Sequence, residues 1–205
     1  MSLNVVVIGA GQAACAFASK LRELDPGCRI TMIGDEAFLP YQRPPLSKKY
    51  MTGEMTGDRL LLRPADWYAQ SRIEFQLHGP AVALDGAARE VAWAAGGRIG
   101  YDRLLLATGS EPRRLPSSAG GDLEGVYVLR NLADADALGL EMRAGRRVLV
   151  VGGGYIGLEA AAVASSLGLE VTVSEMAERI LQRVAAPFTS DYFRKLHAGH
   201  GVRVL

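Results

Sequence analysis

The sequence is short of cysteine, with two in 205 residues, Cys15 and Cys28, which lack CxxC spacing. Such a pair supplies neither a disulfide framework nor a redox motif, and two buried, reduced thiols in a cytoplasmic protein are expected. Histidine is equally sparse at three, so scattered histidines and cysteines give no ligand cluster, and no metal site is expected. Charge of one sign is also missing: 23 basic against 22 acidic residues leave +1. That argues against nucleic acid and against electrostatic membrane binding. No apolar run approaches the roughly 20 residues of a membrane span. The start, Met1-Ser2-Leu3-Asn4, lacks the basic opening of a signal peptide. What remains is an ordinary globular composition, 49% hydrophobic and 22% charged, of a length that allows one or two domains.

What the chain does have is one pattern written twice. Residues 5–8, Val-Val-Val-Ile, run into Gly9-Ala10-Gly11-Gln12-Ala13-Ala14, then a helix-like stretch to about Leu24 and a second apolar run at 30–33. Far downstream, residues 148–151 run into Gly152-Gly153-Gly154-Tyr155-Ile156-Gly157, then a helix to about Leu167 and a strand at 171–174. Each copy reads as a β-α-β unit on a parallel sheet. Between them, residues 72–77, 80–85, 89–94 and 98–106 read as short strands of a partly antiparallel meander. Residues 111–125, rich in Pro, Arg, Ser and Gly, read as a linker. The domains expected are therefore 1–112 and 113–205. A helix over about 188–197 and a strand at 202–205 close the chain.

A lone glycine motif is weak evidence, because such a turn can serve packing alone. Here each has a strand before it, a helix after it and an acidic residue beyond. Gly9 permits the tight turn, Gly11 lets the backbone approach a pyrophosphate, and Ala14 lets the helix pack against the strand. The anion would sit on the free N–H groups near Gln12 and Ala13. Asp35 is the carboxylate for an adenosine ribose, with Glu36 as fallback. In the second copy Gly152, Gly154 and Gly157 fill the three roles, and Glu175 is the ribose carboxylate. An acid there repels a 2′-phosphate, which favours NADH over NADPH. Arg179, four residues on, either serves a phosphate or is a solvated charge. Two such folds imply two dinucleotides, one a bound electron carrier and the other a diffusible hydride donor.

The stretch Leu39-Pro40-Tyr41-Gln42-Arg43-Pro44-Pro45-Leu46-Ser47-Lys48 reads as neither helix nor strand. Adjacent prolines cannot donate to a ladder, and they hold the preceding residues extended. A stiff loop carrying Arg43 and Lys48 can present charge to a ligand, or it can be plain architecture.

Taken in order, GAGQAA, LPYQRPPLSK, LLLATGS and GGGYIGLE resemble the FAD-dependent ferredoxin reductases that serve bacterial P450s and ring-hydroxylating dioxygenases. These lie within the pyridine-nucleotide-disulfide oxidoreductase superfamily, and the resemblance runs along all 205 residues. It implies an α/β fold of FAD/NAD(P)-binding Rossmann-like domains, with parallel sheets and an inserted antiparallel meander. It also implies that the first copy binds FAD and the second NADH, with an iron–sulfur ferredoxin as partner, in a cytoplasmic monomer or homodimer. By resemblance, Ala13 and Asp35 hold the FAD pyrophosphate and ribose, and Val82 meets the adenine through its backbone. Ala107, Thr108 and Gly109 pass close to the cofactor, and Arg43 and Arg130 touch it. Lys48 lies beside the isoalloxazine ring, while Tyr155, Ile156 and Glu159 sit where the nicotinamide arrives. Without the resemblance, Val82 reads as a core strand residue and Arg130 as a surface charge.

Residues 36–60 hold no cysteine, where disulfide reductases of the superfamily carry a redox pair. Electrons must then leave to an external acceptor. The implied mechanism has NADH deliver hydride to flavin N5 and a ferredoxin remove the electrons singly. Lys48 supplies positive charge, and Glu159 orients it. Arg113, Arg114, Arg146 and Arg147 either dock an acidic ferredoxin or are solvated charges. The alternatives are a flavin NADH oxidase or quinone reductase, or an inactive nucleotide-binding fragment. The family's returning FAD segment and C-terminal interface domain are absent from the 205 residues. The isolated chain is therefore expected to bind FAD poorly and turn over little.

Overall fold

The computed structural model describes residues 2–205. It divides into two compact units, residues 1–42 with 58–111, and residues 43–57 with 112–205.

In the first unit, β1 (Asn4–Ile8) lies between β2 (Arg29–Ile33) and a later strand, all parallel. Val5, Val6 and Val7 are wholly buried because both faces of the sheet are covered, which is why β1 is an unbroken apolar run. One cover is α1 (Gln12–Leu24), which lays Ala14, Cys15 and Ala18 on the sheet; these small side chains let the helix axis approach closely. Tyr68 of α2 (Ala65–Gln70) completes that layer with Ile30 and Met32. The other cover is an antiparallel sheet of β4 (Ala81–Asp85), β5 (Glu90–Trp93) and β6 (Arg98–Gly100), whose Val91 packs on Val6 and Ile33.

The meander expected from sequence is shorter than 72–106. Its first segment, β3 (Ile73–Gln76), pairs parallel with β2, and its last, β7 (Arg103–Leu106), pairs parallel with β1. The main sheet order is thus β3-β2-β1-β7. The run 98–106 breaks in two at Tyr101-Asp102, where Asp102 accepts from the Asn4 backbone N–H at 2.8 Å. That bond turns the chain out of one sheet and into the other.

The second unit repeats the plan. After α3 (Leu132–Gly139), capped reciprocally by Asn131 and Asp134, come β8 (Arg147–Val151), α4 (Tyr155–Ser166) and β9 (Glu170–Ser174). Then α5 (Pro187–Gly199) leads to β10 (Arg203–Val204), giving a parallel sheet of order β10-β9-β8. Leu158, Ala161 and Ala164 of α4 pack on Val171 and Val173 of β9. The segment 43–57, which the sequence left with the first domain, groups with this unit. The reason is chemical: its side chains find their partners on α3 and α4, as the site below shows.

Candidate functional site

Each glycine turn leaves its strand in the same way. Gly9 has φ +114° and Gly152 φ +109°, a region open to glycine and costly for other residues. Gly9 N donates to the Ile33 carbonyl at 2.8 Å, and Gly152 N to the Ser174 carbonyl at 2.8 Å. At Gly9 the approach is also close: a Cβ there would lie 2.1 Å from the Ala107 carbonyl oxygen, so the turn sits against the end of β7. Gly157 is a packing glycine, since its Cβ would lie 2.1 Å from the Gly152 oxygen; Ala14 stands fully buried at the matching position.

Gly11 and Gly154 differ from these. They are the N-caps of α1 and α4, with no capping side chain and no acidic residue in the first turn. A Cβ on either would meet nothing within 4 Å. Each helix therefore starts with N–H groups lacking intrahelical acceptors, under a backbone clear enough for a large anion to reach. Gln12, Ala13 and Ala14 line the first cradle; Tyr155 and Ile156, 60% and 55% exposed, line the second. Both fit a dinucleotide pyrophosphate.

The two candidate ribose carboxylates are not equivalent. Ile8 pairs with Ile33 and Val151 with Ser174, so the residue matching Glu175 is Gly34, one before Asp35. A side chain at Gly34 would collide with the Ala10 Cβ at 2.8 Å and approach Leu77 at 3.1 Å. The first copy therefore carries its acid one position later, on exposed Asp35. Glu36, the fallback, accepts a hydrogen bond from the buried Tyr41 hydroxyl at 2.5 Å. In the second copy Glu175 accepts from the N–H groups of Ala177 (2.9 Å) and Gly153 (2.7 Å). These two bonds hold its carboxyl below the usual carboxylate range, despite partial burial. Arg179 is neither solvated nor phosphate-ready: it donates to the carbonyls of Ala185 and Gln182 and to the Ser190 hydroxyl.

The proline loop forms a 3₁₀ turn, Pro44–Ser47, whose prolines stand where no N–H is needed. Lys48 follows. Its Nζ donates to Glu159 Oε2 of α4 at 2.6 Å and to the Pro44 carbonyl at 3.2 Å. The Ser47 hydroxyl, on a residue 6% exposed, donates to the same Oε2 at 2.6 Å. Partial burial pushes the Glu159 carboxyl up, but the bonds from Lys48 and Ser47 and the lysine charge outweigh it, so the group titrates below its ordinary range. Tyr50 donates to Asp136 of α3 at 2.5 Å, which pushes the phenol up to about 12. Arg43 donates to the Arg130 carbonyl at 3.0 Å, and the Arg130 N–H donates to Asp134. Lys48, Glu159, Arg43 and Arg130 are thereby brought onto one unit.

Val82, read as core from sequence alone, is 62% exposed. The β4–β5 register slips between Ala81 and Ala83, so Val82 is the extra residue of a bulge. That suits a ligand met through the main chain. Thr108 and Gly109 follow β7 as an exposed turn, with Gly109 at φ +70°. Cys15 and Cys28 are both buried and unpaired, and the Cys15 thiol lies 3.2 Å from the Tyr68 hydroxyl. Among the docking candidates, Arg146 is ion-paired with Glu141. Sequence reasoning missed Ser47, and nothing local marks it: a serine beside a lysine becomes informative only once α4 is brought over it. Among the described residues no helix is long and apolar enough to cross a membrane.

The family model described as pyridine nucleotide-disulphide oxidoreductase matches residues 3–205. A probable ferredoxin reductase from Castellaniella defragrans is 42% identical over 98% of this chain and 49% of its own length. Putidaredoxin reductase from Pseudomonas putida is 38% identical over 98% of this chain and 48% of its own. The chain thus spans about half the length of the curated relatives it matches. Among solved structures, the covalent putidaredoxin reductase–putidaredoxin complex aligns with a TM-score of 0.92 at 38% identity, over 99% of this chain and 49% of that one.

Proposed function

The chain belongs to the pyridine nucleotide-disulphide oxidoreductase family, and on that premise we propose that it works in an FAD-dependent ferredoxin reductase. In this reading it takes hydride from NADH and passes single electrons to an iron–sulfur ferredoxin of a P450 or ring-hydroxylating dioxygenase system. The observation that carries the reading is the doubled turn: two helices with bare N-termini under glycines that leave open space, each followed by a carboxylate beyond the next strand. One dinucleotide is accounted for by each.

Gly9, Gly11, Ala13 and Ala14 hold the FAD pyrophosphate, and Asp35 its ribose, because Glu36 is taken by Tyr41. Val82 meets the adenine through its backbone, and Ala107, Thr108 and Gly109 border the same cofactor. Gly152, Gly154 and Gly157 shape the NADH turn, with Tyr155 and Ile156 on its exposed helix start. Glu175, ionised and fixed by two N–H groups, accepts from a ribose hydroxyl and repels a 2′-phosphate. When bound, the flavin supplies hydride acceptance followed by one-electron release. Lys48 contributes fixed positive charge in a region free of cysteine, and Glu159 keeps the ammonium aimed. With no dithiol at 36–60, electrons go to an outside acceptor, which supports the ferredoxin assignment.

Lys48→Met tests the electrostatic role. It keeps the length of the side chain and removes its charge, so NADH-driven flavin reduction is expected to slow at least about tenfold, the effect of about 1.4 kcal/mol on the barrier. Unchanged reduction would remove Lys48 from the site.

A further inference from the structure

We propose that Ser47 is a positioning residue for the Lys48–Glu159 pair, its hydroxyl fixing the carboxylate that in turn aims the ammonium. The inference rests on the reading of Lys48 and Glu159 given above and extends it to a residue that reading does not use.

An exposed lysine–carboxylate pair does not hold itself in place. Lys48 and Glu159 are 47% and 32% exposed, where solvent screening leaves an ion pair little net attraction. Ordering a lysine side chain costs conformational entropy of comparable size. Something else must restrict the geometry, and Ser47 is built to do so. Its side chain is short and buried, and it ends a turn whose φ angles are set by Pro44 and Pro45. The turn closes with Lys48 N and Tyr50 N both donating to the Pro45 carbonyl, at 2.9 and 3.0 Å. Its far side is fastened to α3 by Tyr50 and Asp136.

From that rigid base the Ser47 hydroxyl and the Lys48 ammonium reach one oxygen, Glu159 Oε2, each at 2.6 Å. A carboxylate oxygen with two short donors has one favoured orientation. Lys48 is the charged group that acts on Glu159 from the proline turn; on α3, Asp136 is occupied by Tyr50 and Asp134 by the Asn131 cap. Removing the hydroxyl therefore leaves Glu159 with one donor, freer to rotate and easier to protonate. A protonated Glu159 no longer pairs with the ammonium.

The test compares Ser47→Ala and Ser47→Thr in the full protein. Carboxyl-labelled glutamate NMR follows the Glu159 titration, assigned with Glu159→Gln, and the pH profile of NADH-driven flavin reduction is measured in parallel. The expected result is a Glu159 midpoint moved to higher pH in Ser47→Ala and restored in Ser47→Thr. The acid limb of flavin reduction should move the same way, with the KM for NADH unchanged. A merely structural serine would lower the rate equally at every pH. An unmoved Glu159 midpoint overturns the proposal. A moved midpoint with an unmoved acid limb upholds the positioning and overturns the catalytic reading of the pair.

Discussion

Gly154→Ala separates a ligand glycine from a packing glycine. Gly154 has φ −82°, which alanine adopts without strain, and its new Cβ would meet nothing within 4 Å. Two small effects on stability oppose each other: alanine lowers the entropy of the unfolded chain by about 0.4–1 kcal/mol, and it is a poorer N-cap by a similar amount. The melting temperature should hardly move. The methyl group, however, projects where a pyrophosphate must come to reach the first N–H groups of α4. Hydrogen bonds to a charged group contribute about 1.5–3 kcal/mol each, so losing one weakens NADH about ten- to a hundredfold. Gly157→Ala is the control. Its Cβ would lie 2.1 Å from the Gly152 oxygen, so the turn itself must shift, at about 1–3 kcal/mol of stability. Calorimetric NADH titration and thermal unfolding, run on both variants, give the comparison. NADH binding by Gly154→Ala equal to that of the unaltered protein would refute the cradle.

Gly153 and Ala177 donate to different oxygens of Glu175, so Glu175→Gln keeps one of the two backbone hydrogen bonds and removes the charge; NADPH should gain on NADH in kcat/KM at least severalfold, and an unchanged ratio would show that Glu175 does not read the ribose. His197 is buried, and that burial, with His200 nearby, holds its imidazole below the usual histidine range. Because the folded state resists a proton that the unfolded chain takes up near pH 6.5, the stability from neutral His197 is present above that pH and is lost as pH falls toward the folded value. The melting temperature should therefore decline on acidification from pH 7, and His197→Gln should flatten that slope; an equal slope in both would assign it elsewhere.

The glycine turns and their strands were legible because their causes are local. Val5, Val6 and Val7 form an apolar run buried on both faces, and the backbone at Gly9 and Gly152 demands a positive φ. Partners far along the chain were not legible. Residues 73–76 and 103–106 look like any short strand, and only pairing with β2 and β1 takes them out of the meander. Val82 reads as core because its neighbours alternate like a strand, while the bulge that exposes it is a register event between β4 and β5. Arg179 reads as solvated charge because carbonyl acceptors leave no mark in a sequence. The grouping of 43–57 with residues 112–205 was hidden for the same reason: Ser47, Lys48 and Tyr50 declare their partners only when α3 and α4 are folded beside them.

In the proposed reaction hydride enters from NADH and electrons leave singly to an iron–sulfur protein. The most direct measurement is anaerobic: flavin-loaded protein is titrated with NADH, then mixed under argon with an oxidised ferredoxin. NADH is expected to bleach the flavin absorbance, and ferredoxin to restore it while becoming reduced itself. Flavin that NADH does not bleach, or that is restored by oxygen and by no ferredoxin of a panel, would contradict it.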